Sequence, residues 1–293
     1  MIVRFWGTRG SIPAPGPGTA RYGGNTTCIE IDLGQGPRII LDAGTGIRPL
    51  GLTLAKAMPV ECHVFITHTH WDHIQGLPFF VPLFVPGNRV TIYGPPNPLA
   101  QTGIEEVLPV QMAYPYFPVR AAELRAGIEA VTLSDGQTVQ AGAANISALL
   151  MNHPALCYGY LVEFGGARMF FTGDHEPFAN IYAPDDEEWG DYQQVVDERN
   201  AAIRRRLTGV DLLVVDAQYT DEEYEARRGW GHGSFGQAMA LARGAGVRRV
   251  VCTHHDPTRD DAALDALMAR VAAEHPDLDI CAAREGMEID LGR

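Results

Sequence analysis

The stretch at residues 67–73, Thr-His-Thr-His-Trp-Asp-His, constrains this chain more than any other. Three histidines and one aspartate occupy six consecutive residues from His68 to His73. Imidazole and carboxylate groups are costly to bury without a polar partner, so core packing does not explain this density. The preceding residues 61–66 are apolar and partly β-branched, which predicts a buried strand. The cluster therefore begins where a strand ends.

The spacing within this cluster predicts two neighbouring sets of metal ligands. His68 and His70 are two residues apart, so their side chains point to the same side of an extended backbone. Asp72 and His73 follow a bend and can face a second point in space. One strand end thus supplies two ligands to one metal and two to its neighbour.

The H-x-H-x-D-H pattern resembles the metallo-β-lactamase superfamily. That family has a third His, then an acidic residue, then a last His, each at the end of a strand, and His153, Asp174 and His254 match these positions. The resemblance implies seven ligands for two metal ions, namely His68, His70 and His153 for the first, Asp72, His73 and His254 for the second, and Asp174 as a bridge.

Two divalent metal ions are therefore the expected cofactors. Neutral imidazoles and carboxylates suit Zn²⁺, with Mn²⁺ or Fe as alternatives, and no cysteine at these positions singles out zinc. His255 is the alternative last ligand, but adjacent side chains of a strand point oppositely, so only one of His254 and His255 should reach the metals. Asp42 resembles the family's early aspartate, which orients the histidine loop.

Two further stretches resemble the phosphodiesterase branch of the superfamily, which includes tRNase Z and cyclic-nucleotide phosphodiesterase-like hydrolases. Residues 216–220 follow a predicted strand, and residues 231–234 precede a predicted helix. By position, His232 matches the residue that protonates the leaving alkoxide in that branch, with Asp216 as its acidic partner. The alternative is that His232 merely caps the helix. The opening residues also resemble this branch, and Arg9 is a candidate phosphate contact.

The predicted catalytic residues are thus Asp72, His232 and Asp216. The predicted protein is a dinuclear metal-dependent hydrolase that cleaves a small or cyclic nucleotide-like phosphodiester through a metal-bound hydroxide. Two alternatives stay open. One is a carboxylic ester, thioester or lactone hydrolase of the same fold, and the other is a non-catalytic metal-binding or sensor protein.

Net charge bears on the partner. The chain carries a formal charge of −13, so it has no overall field that attracts nucleic acid. The tRNA-processing enzymes carry a long arm between the third His and the bridging Asp, and His153 and Asp174 are too close to hold one. Both observations argue against nucleic acid and for a small-molecule diester. A homodimer is also expected, from the apolar residues 77–85.

The order of the predicted elements indicates an α+β fold with two sheets between layers of helices. The resemblance implies the four-layer αβ/βα sandwich of the metallo-β-lactamase fold, as one domain over residues 1–293. Helices are predicted at residues 47–57, 98–108, 234–245 and 260–273. The acidic residues at about 176–200 show no strong period and are interpreted as an insertion that lies on the surface or caps the site.

Three features of the composition bear on location. The start shows no signal-peptide pattern, and no apolar run approaches the length of a membrane span. The five cysteines are far apart and odd in number, which is not typical of a disulfide framework. These features predict a cytoplasmic protein without a membrane partner.

Overall fold

The computed structural model describes residues 1–292 and contains two seven-stranded sheets. The first has the order β14-β1-β2-β3-β4-β5-β6 and the second β13-β12-β11-β10-β9-β8-β7. Numbered along the chain, the strands are β1 (Ile2–Gly7), β2 (Cys28–Asp32), β3 (Arg38–Leu41), β4 (Glu61–Phe65), β5 (Arg89–Gly94), β6 (Gly127–Thr132), β7 (Thr138–Ala141), β8 (Ala144–Met151), β9 (Cys157–Phe164), β10 (Ala167–Phe171), β11 (Leu212–Asp216), β12 (Arg249–Thr253), β13 (Asp279–Ala282) and β14 (Glu288–Asp290).

Helices cover the outer faces of both sheets. They are α1 (Ile47–Leu54), α2 (Trp71–Ile74), α3 (Val107–Gln111), α4 (Trp189–Leu207), α5 (Asp221–Glu225), α6 (Phe235–Ala245) and α7 (Asp261–Glu274). Short 3-10 turns lie at Pro17–Thr19, Ala55–Ala57, Leu77–Phe79, Val81–Phe84, Ile104–Glu106 and Ala121–Glu123.

Three apolar clusters define the layers. One lies between the sheets and joins Phe65 of β4 to Tyr160 of β9 and Phe171 of β10. A second packs α4, α6 and α7 against the second sheet, and the third packs α1 and α3 against the first. The predicted four-layer αβ/βα sandwich is therefore confirmed. Its extent as one domain over residues 1–293 stays a prediction, and Arg293 lies outside the described residues.

The strands that carry the site run in one direction. Strands β3 to β6 are parallel, as are β10 to β13, and all five residues of β11 are buried. Continuous apolar runs are typical of parallel strands covered on both faces. The Tyr158 N–H donates to the Thr67 carbonyl at 2.9 Å, and the Tyr160 hydroxyl donates to the Ile66 carbonyl at 2.7 Å. These bonds join the two sheets beside the end of β4.

Two predicted helices, α6 and α7, form where the sequence indicates because their ends are capped. The Ser234 hydroxyl accepts from the Gln237 N–H, and the Gln237 side chain accepts from the Ser234 N–H, which is a capping box. Gly246 ends the helix in the left-handed conformation. Helix α7 begins after Asp260, which accepts from the Ala263 N–H. The helices predicted at 234–245 and 260–273 are confirmed to within a residue.

The helix predicted at residues 98–108 is wrong. The side chain of Asn97 accepts from the N–H groups of Leu99 and Ala100, and this local turn replaces helical hydrogen bonds. Helical structure begins only with the 3-10 turn Ile104–Glu106, and α3 follows it.

The acidic segment at 176–200 is not structureless. Its second half belongs to α4, which buries Val196, Ile203 and Leu207 against the second sheet. Most of its other side chains are charged and exposed, so its apolar stripe is narrow and the helix was missed.

The apolar residues 77–85 mostly pack inward. Leu77, Phe80 and Leu83 are fully buried, whereas Phe79 is exposed. The stretch therefore supplies little surface for a second copy, and the homodimer stays a prediction. Among the helices of residues 1–292, none has the length and apolar character needed to cross a membrane.

Candidate metal centre

The ends of six strands bring the predicted ligands to one edge of the molecule. The seven predicted ligands follow β4, β8, β10 and β12. Two supporting residues lie at the other two strand ends: Asp42 follows β3, and Asp216 ends β11. The donor atoms of the seven ligands form two groups, and His232 joins Asp174, Asp216 and His254 in a third. Within each group the atoms lie within 4.8 Å of one another. The first group is His68, His70, His153 and Asp174, and the second is Asp72, His73, Asp174 and His254.

Asp174 belongs to both groups. Its Oδ1 lies 3.2 Å from His73 Nε2 and 3.3 Å from His254 Nε2. Its Oδ2 lies 3.5 Å from His68 Nε2 and 3.9 Å from His153 Nε2. Each carboxylate oxygen thus faces one group, which is the arrangement that a bridging ligand requires.

Neighbouring oxygen atoms fix the orientation of four imidazoles. In each ring Nδ1 contacts one of these oxygen atoms, so Nε2 is directed into the cluster, as is usual for metal-ligating histidines. The Nδ1 partners are Thr67 Oγ1 for His68 at 3.1 Å, Asp42 Oδ2 for His73 at 2.7 Å, the Gly231 carbonyl for His153 at 2.9 Å, and Gln218 Oε1 for His254 at 3.0 Å.

Backbone strain concentrates at this edge. Four non-glycine residues of the described chain have a positive φ, and three of them, Ser11, Asp42 and His254, lie at the site. Asp42 accepts from the Thr67 N–H at 2.7 Å, and the Ser11 N–H donates to Asp72 Oδ2 at 2.7 Å. The left-handed conformation is unfavourable for such residues and persists where the surroundings enforce it.

Burial sets the protonation of the first group. It lowers the pKa of His68, His70 and His153, so these rings are neutral at neutral pH and can bind a metal. Burial also lowers the pKa of His73, but the carboxylates of Asp174, Asp72 and Asp42 raise it more. Buried carboxylates therefore dominate the charge of the second group, and this charge calls for a cation.

Two buried atoms provide a direct test of whether metal ions fit. His68 Nε2 and Asp174 Oδ1 face the cluster and have no hydrogen-bond partner among residues 1–292. Buried polar atoms are almost always paired, and an unmade bond costs free energy. A metal ion would satisfy both atoms. The donor set of imidazoles and carboxylates therefore fits divalent cations, and no cysteine is among the donors.

His232 and Asp216 form a pair next to the two groups. His232 Nδ1 lies 2.9 Å from Asp216 Oδ2 and 3.8 Å from Asp174 Oδ2. Burial lowers the pKa of His232, but the charges of Asp216 and Asp174 raise it more, to about 9. A ring that carries a proton at neutral pH suits an acid better than a ligand.

The site opens through a cavity of about 410 Å³. Within the described chain it is lined by Ser11, Thr69, His70, Trp71, Asp72, Asp174 and His232. A volume of this order accommodates a small ligand or the end of a longer one.

Two sequence-based assignments are resolved by burial and contacts. Arg9 is fully buried, and its guanidinium donates to the carbonyls of Gly23 and Arg259. It joins two loops and does not face the cavity, so the prediction of a phosphate contact is wrong. His255 Nε2 donates to the Ala283 carbonyl at 2.8 Å, whereas His254 faces the cluster.

Sequence reasoning missed two residues that support the site. Gln218 holds His254, as described above. Glu176 is buried and accepts from the N–H groups of Gly229 and Gly231 and from the Tyr224 hydroxyl. It thereby fixes the loop that carries the Gly231 carbonyl and His232. The only sequence signal for Glu176 is its position two residues after Asp174.

The four-layer sandwich and the paired His/Asp groups define a metal-dependent hydrolase, as predicted. Residues 37–255 match the model of the beta-lactamase superfamily domain, and the chain belongs to that superfamily.

Relatives of known sequence are ribonucleases. The chain is 27 % identical over 285 residues to ribonuclease Z of Haloferax volcanii, covering 87 % of this chain and 84 % of the relative. It is 26 % identical over 311 residues to ribonuclease BN of Salmonella paratyphi C, covering 94 % and 96 %. The resemblance to the phosphodiesterase branch is consistent with both.

Solved structures share the fold over nearly the whole chain. The metallo-β-lactamase fold protein YhfI from Bacillus subtilis has a TM-score of 0.67 at 17 % identity, covering 98 % of both chains. Human tRNase Z, short form, has a TM-score of 0.63 at 18 % identity, covering 100 % of both. A diphosphatase of the PhnP family has a TM-score of 0.65 at 18 % identity, covering 99 % of this chain and 98 % of that one.

These relatives contradict the argument against a nucleic-acid partner. That argument rested on a net charge of −13 and on the short connection between His153 and Asp174. Net charge averages over the whole surface and governs long-range attraction, whereas binding at a site depends on the groups that line it. Neither observation therefore excludes nucleic acid.

Proposed function

We propose that this chain is a metal-dependent phosphodiesterase that cleaves RNA. The observation that carries the proposal is the His232–Asp216 pair beside two ligand groups that share Asp174. Hydrolysis of a phosphodiester releases an alkoxide, which leaves poorly unless it is protonated. Acyl substrates with good leaving groups have less need of such an acid.

The ligand groups would hold two divalent cations. His68, His70 and His153 would hold the first, Asp72, His73 and His254 the second, and Asp174 would bridge them. When bound, such ions make hydroxide available at neutral pH and offset charge on a phosphoryl group.

Residues of this chain orient the catalytic groups and supply the proton for the leaving oxygen. Asp216 accepts from His232 Nδ1 and fixes the ring, so His232 Nε2 is left to donate a proton to the leaving oxygen. Side-chain exposure of His232 is 12 %, so the ring is shielded but reachable from the cavity. Asp72 contacts the Ser11 N–H and His254, which fixes its carboxylate at the cavity wall.

The choice of RNA rests on the sequence relatives. The ribonucleases Z and BN match most of this chain at 26–27 % identity and are themselves matched over most of their length. Similarity over most of the length of both chains supports a shared class of substrate.

A second candidate is a small or cyclic nucleotide-like diester. One observation favours it: the cavity beside the ligand groups has a volume of about 410 Å³, which accommodates a small ligand.

The test compares four substrates with zinc-loaded wild type, Asp174→Ala and His232→Ala. They are an RNA with a single-stranded 3′ end, a 2′,3′-cyclic nucleotide, bis(p-nitrophenyl) phosphate and p-nitrophenyl acetate. We expect wild type to cleave the RNA and the aryl diester, and Asp174→Ala to cleave neither. His232→Ala should lose far more activity on RNA than on the aryl diester, whose phenolate leaves without a proton. His275→Ala, at the end of α7, is the matched control.

The other outcomes are decisive. Hydrolysis of the acetate alone would overturn the proposal in favour of an acyl substrate. Cleavage of a 2′,3′-cyclic nucleotide without cleavage of RNA would favour the second candidate. Equal losses on RNA and the aryl diester in His232→Ala would remove His232 as the acid.

A further inference from the structure

Two of the four tryptophans of this chain are strongly exposed, and both flank the ligand groups. Trp71 is 64 % exposed and lines the cavity, and Trp230 is 60 % exposed and lies two residues before His232. Indole rings are large and apolar, so an exposed Trp71 in the cavity lining and an exposed Trp230 in the loop that carries His232 mark a binding surface.

The backbone segments that carry these rings meet opposite edges of His153. His70, next to Trp71, places its Nδ1 at 3.1 Å from His153 Nε2. Gly231, next to Trp230, places its carbonyl at 2.9 Å from His153 Nδ1. The segment that carries Trp71 therefore meets the Nε2 edge of His153, which faces the ligand group, and the segment that carries Trp230 meets the opposite Nδ1 edge.

The walls of this cavity carry one side-chain cation, His232. Its lining residues include no arginine or lysine. The nearest arginines along the chain are engaged elsewhere, because Arg227 donates to the Glu223 carbonyl at 3.0 Å and Arg228 pairs with Glu225 at 3.0 Å. Beyond His232 and the metal ions, a base is therefore the part of a nucleotide that the exposed Trp71 ring in the lining can bind.

Stacking supplies affinity for a base without charge. Every nucleobase presents a π-face, and stacking on an aromatic side chain strengthens binding on the order of 5- to 150-fold per base. Indole also offers a large, rigid contact area, so little side-chain entropy is lost on binding.

We propose that Trp71 and Trp230 form a stacking platform for nucleobases next to the scissile phosphate, so that the chain selects diesters that bear a base over those that do not. This inference rests on the proposed phosphodiesterase activity and adds the feature by which the substrate is chosen.

The test compares two diesters with the same leaving group, thymidine 5′-(p-nitrophenyl phosphate) and methyl p-nitrophenyl phosphate. The readout is the ratio of their kcat/KM values, in which losses of fold or metal cancel. We expect Trp71→Ala and Trp230→Ala each to lower the ratio about tenfold, mainly through the KM of the thymidine ester. Trp71→Phe should restore part of it, and Leu99→Ala, which is 96 % exposed and outside the cavity lining, is the control.

The failure of this inference differs from the failure of the proposed function. If wild type cleaves both diesters and neither tryptophan variant changes the ratio, the stacking platform is excluded while the phosphodiesterase stands. If wild type cleaves neither diester but hydrolyses p-nitrophenyl acetate, both proposals fall together. A ratio near one in wild type would also exclude selection for a base.

Discussion

The charge on His232 depends on one neighbour that is not a predicted ligand, Asp216. Burial lowers the pKa of His232, and Asp216 and Asp174 raise it to about 9. A general acid acts in its protonated form, so RNA cleavage should fall as the pH rises through this value. Asp216→Asn removes a raising charge, and the fall should move to lower pH.

The measurement is kcat/KM for RNA across neutral and alkaline pH, for wild type and Asp216→Asn at saturating zinc. The aryl diester serves as the internal control, because its leaving group needs no acid and its alkaline fall should not move with Asp216. An unchanged alkaline fall on RNA in the variant would contradict the assignment.

Asp42 tests how far the orientation of one imidazole governs metal affinity. Its Oδ2 lies 2.7 Å from His73 Nδ1, and its φ of 62° is tolerated by asparagine as well. Asp42→Asn should weaken binding of the second zinc ion roughly 10- to 100-fold, as loss of such supporting contacts does elsewhere. Zinc titration by calorimetry is the measurement. Asp32→Asn, which pairs with Arg4 away from the site, should bind zinc like wild type.

Individual site residues could be predicted from the sequence where they occur in a dense pattern, whereas those that stand alone were missed. Three histidines and an aspartate within six residues are visible without a structure. Glu176 and Gln218 act through single contacts with distant segments, and no local pattern marks them. The prediction that Arg9 contacts a phosphate was wrong, because the sequence does not show whether an arginine beside a glycine loop faces solvent or the core.

Among the connecting elements, the loop before α6 is the most tightly constrained. A Cβ at Gly231 would lie 2.2 Å from His153 Nδ1, and the φ of Gly231 is 89°. Gly231→Ala must therefore displace either the loop or the imidazole. We expect it to weaken zinc binding at the first ligand group and to lower cleavage of every diester, since His232 follows in the same loop.

Gly229 provides the matched control for this loop. Its φ is 81°, so alanine there carries similar backbone strain, but a Cβ would have nothing within 4 Å. Gly229→Ala should retain zinc affinity and most activity and lose only the free energy of unfolding that its backbone strain costs, whereas Gly231→Ala should lose more because of its clash. Equal zinc affinity in the two variants would show that contact with His153 is not what Gly231 avoids.

Whole elements were predictable where apolar periodicity and caps agree. α6 has both a capping box and a terminal glycine, and its bounds follow from them. α4 has neither a side-chain cap nor a broad apolar face, since only Val196, Ile203 and Leu207 are buried. The opposite error, a helix at 98–108, arose where Asn97 competes for backbone N–H groups that a helix would need.

For the molecule as a whole, the sandwich followed from the resemblance carried by the ligands, whereas composition did not give it. The first sheet adds β14 to β1–β6 and so requires pairing between the two ends of the chain, whereas the second sheet follows chain order from β7 to β13. Such distant pairing leaves no local signal. The ligand pattern pointed to the fold only through the resemblance, and the structure gives the physical reason for that pattern: parallel strands in two facing sheets bring their carboxyl ends to one edge.

Because the ligand groups combine residues from both sheets, metal binding should raise the free energy of unfolding. Asp72 and His73 belong to the first sheet's side, whereas Asp174 and His254 follow strands of the second. Unfolding separates these donors, so a metal that binds only the folded chain stabilises it by about 2.7 kcal/mol at a free concentration 100 times its Kd. For a chain of this size the corresponding rise in Tm is roughly 4 °C.

Thermal unfolding of wild type should therefore rise with zinc and fall on chelation, while Asp174→Ala should lose most of the response. Asp174 is the decisive position because its two oxygens face both groups. Replacing it also removes a buried charge that His254 and His73 compensate, so the metal-free variant need not be less stable than metal-free wild type. A zinc response that is equal in the two proteins would place the stabilising ion elsewhere. A zinc-dependent rise in Tm that is present in wild type and lost in Asp174→Ala would show that the metal centre joins the two sheets.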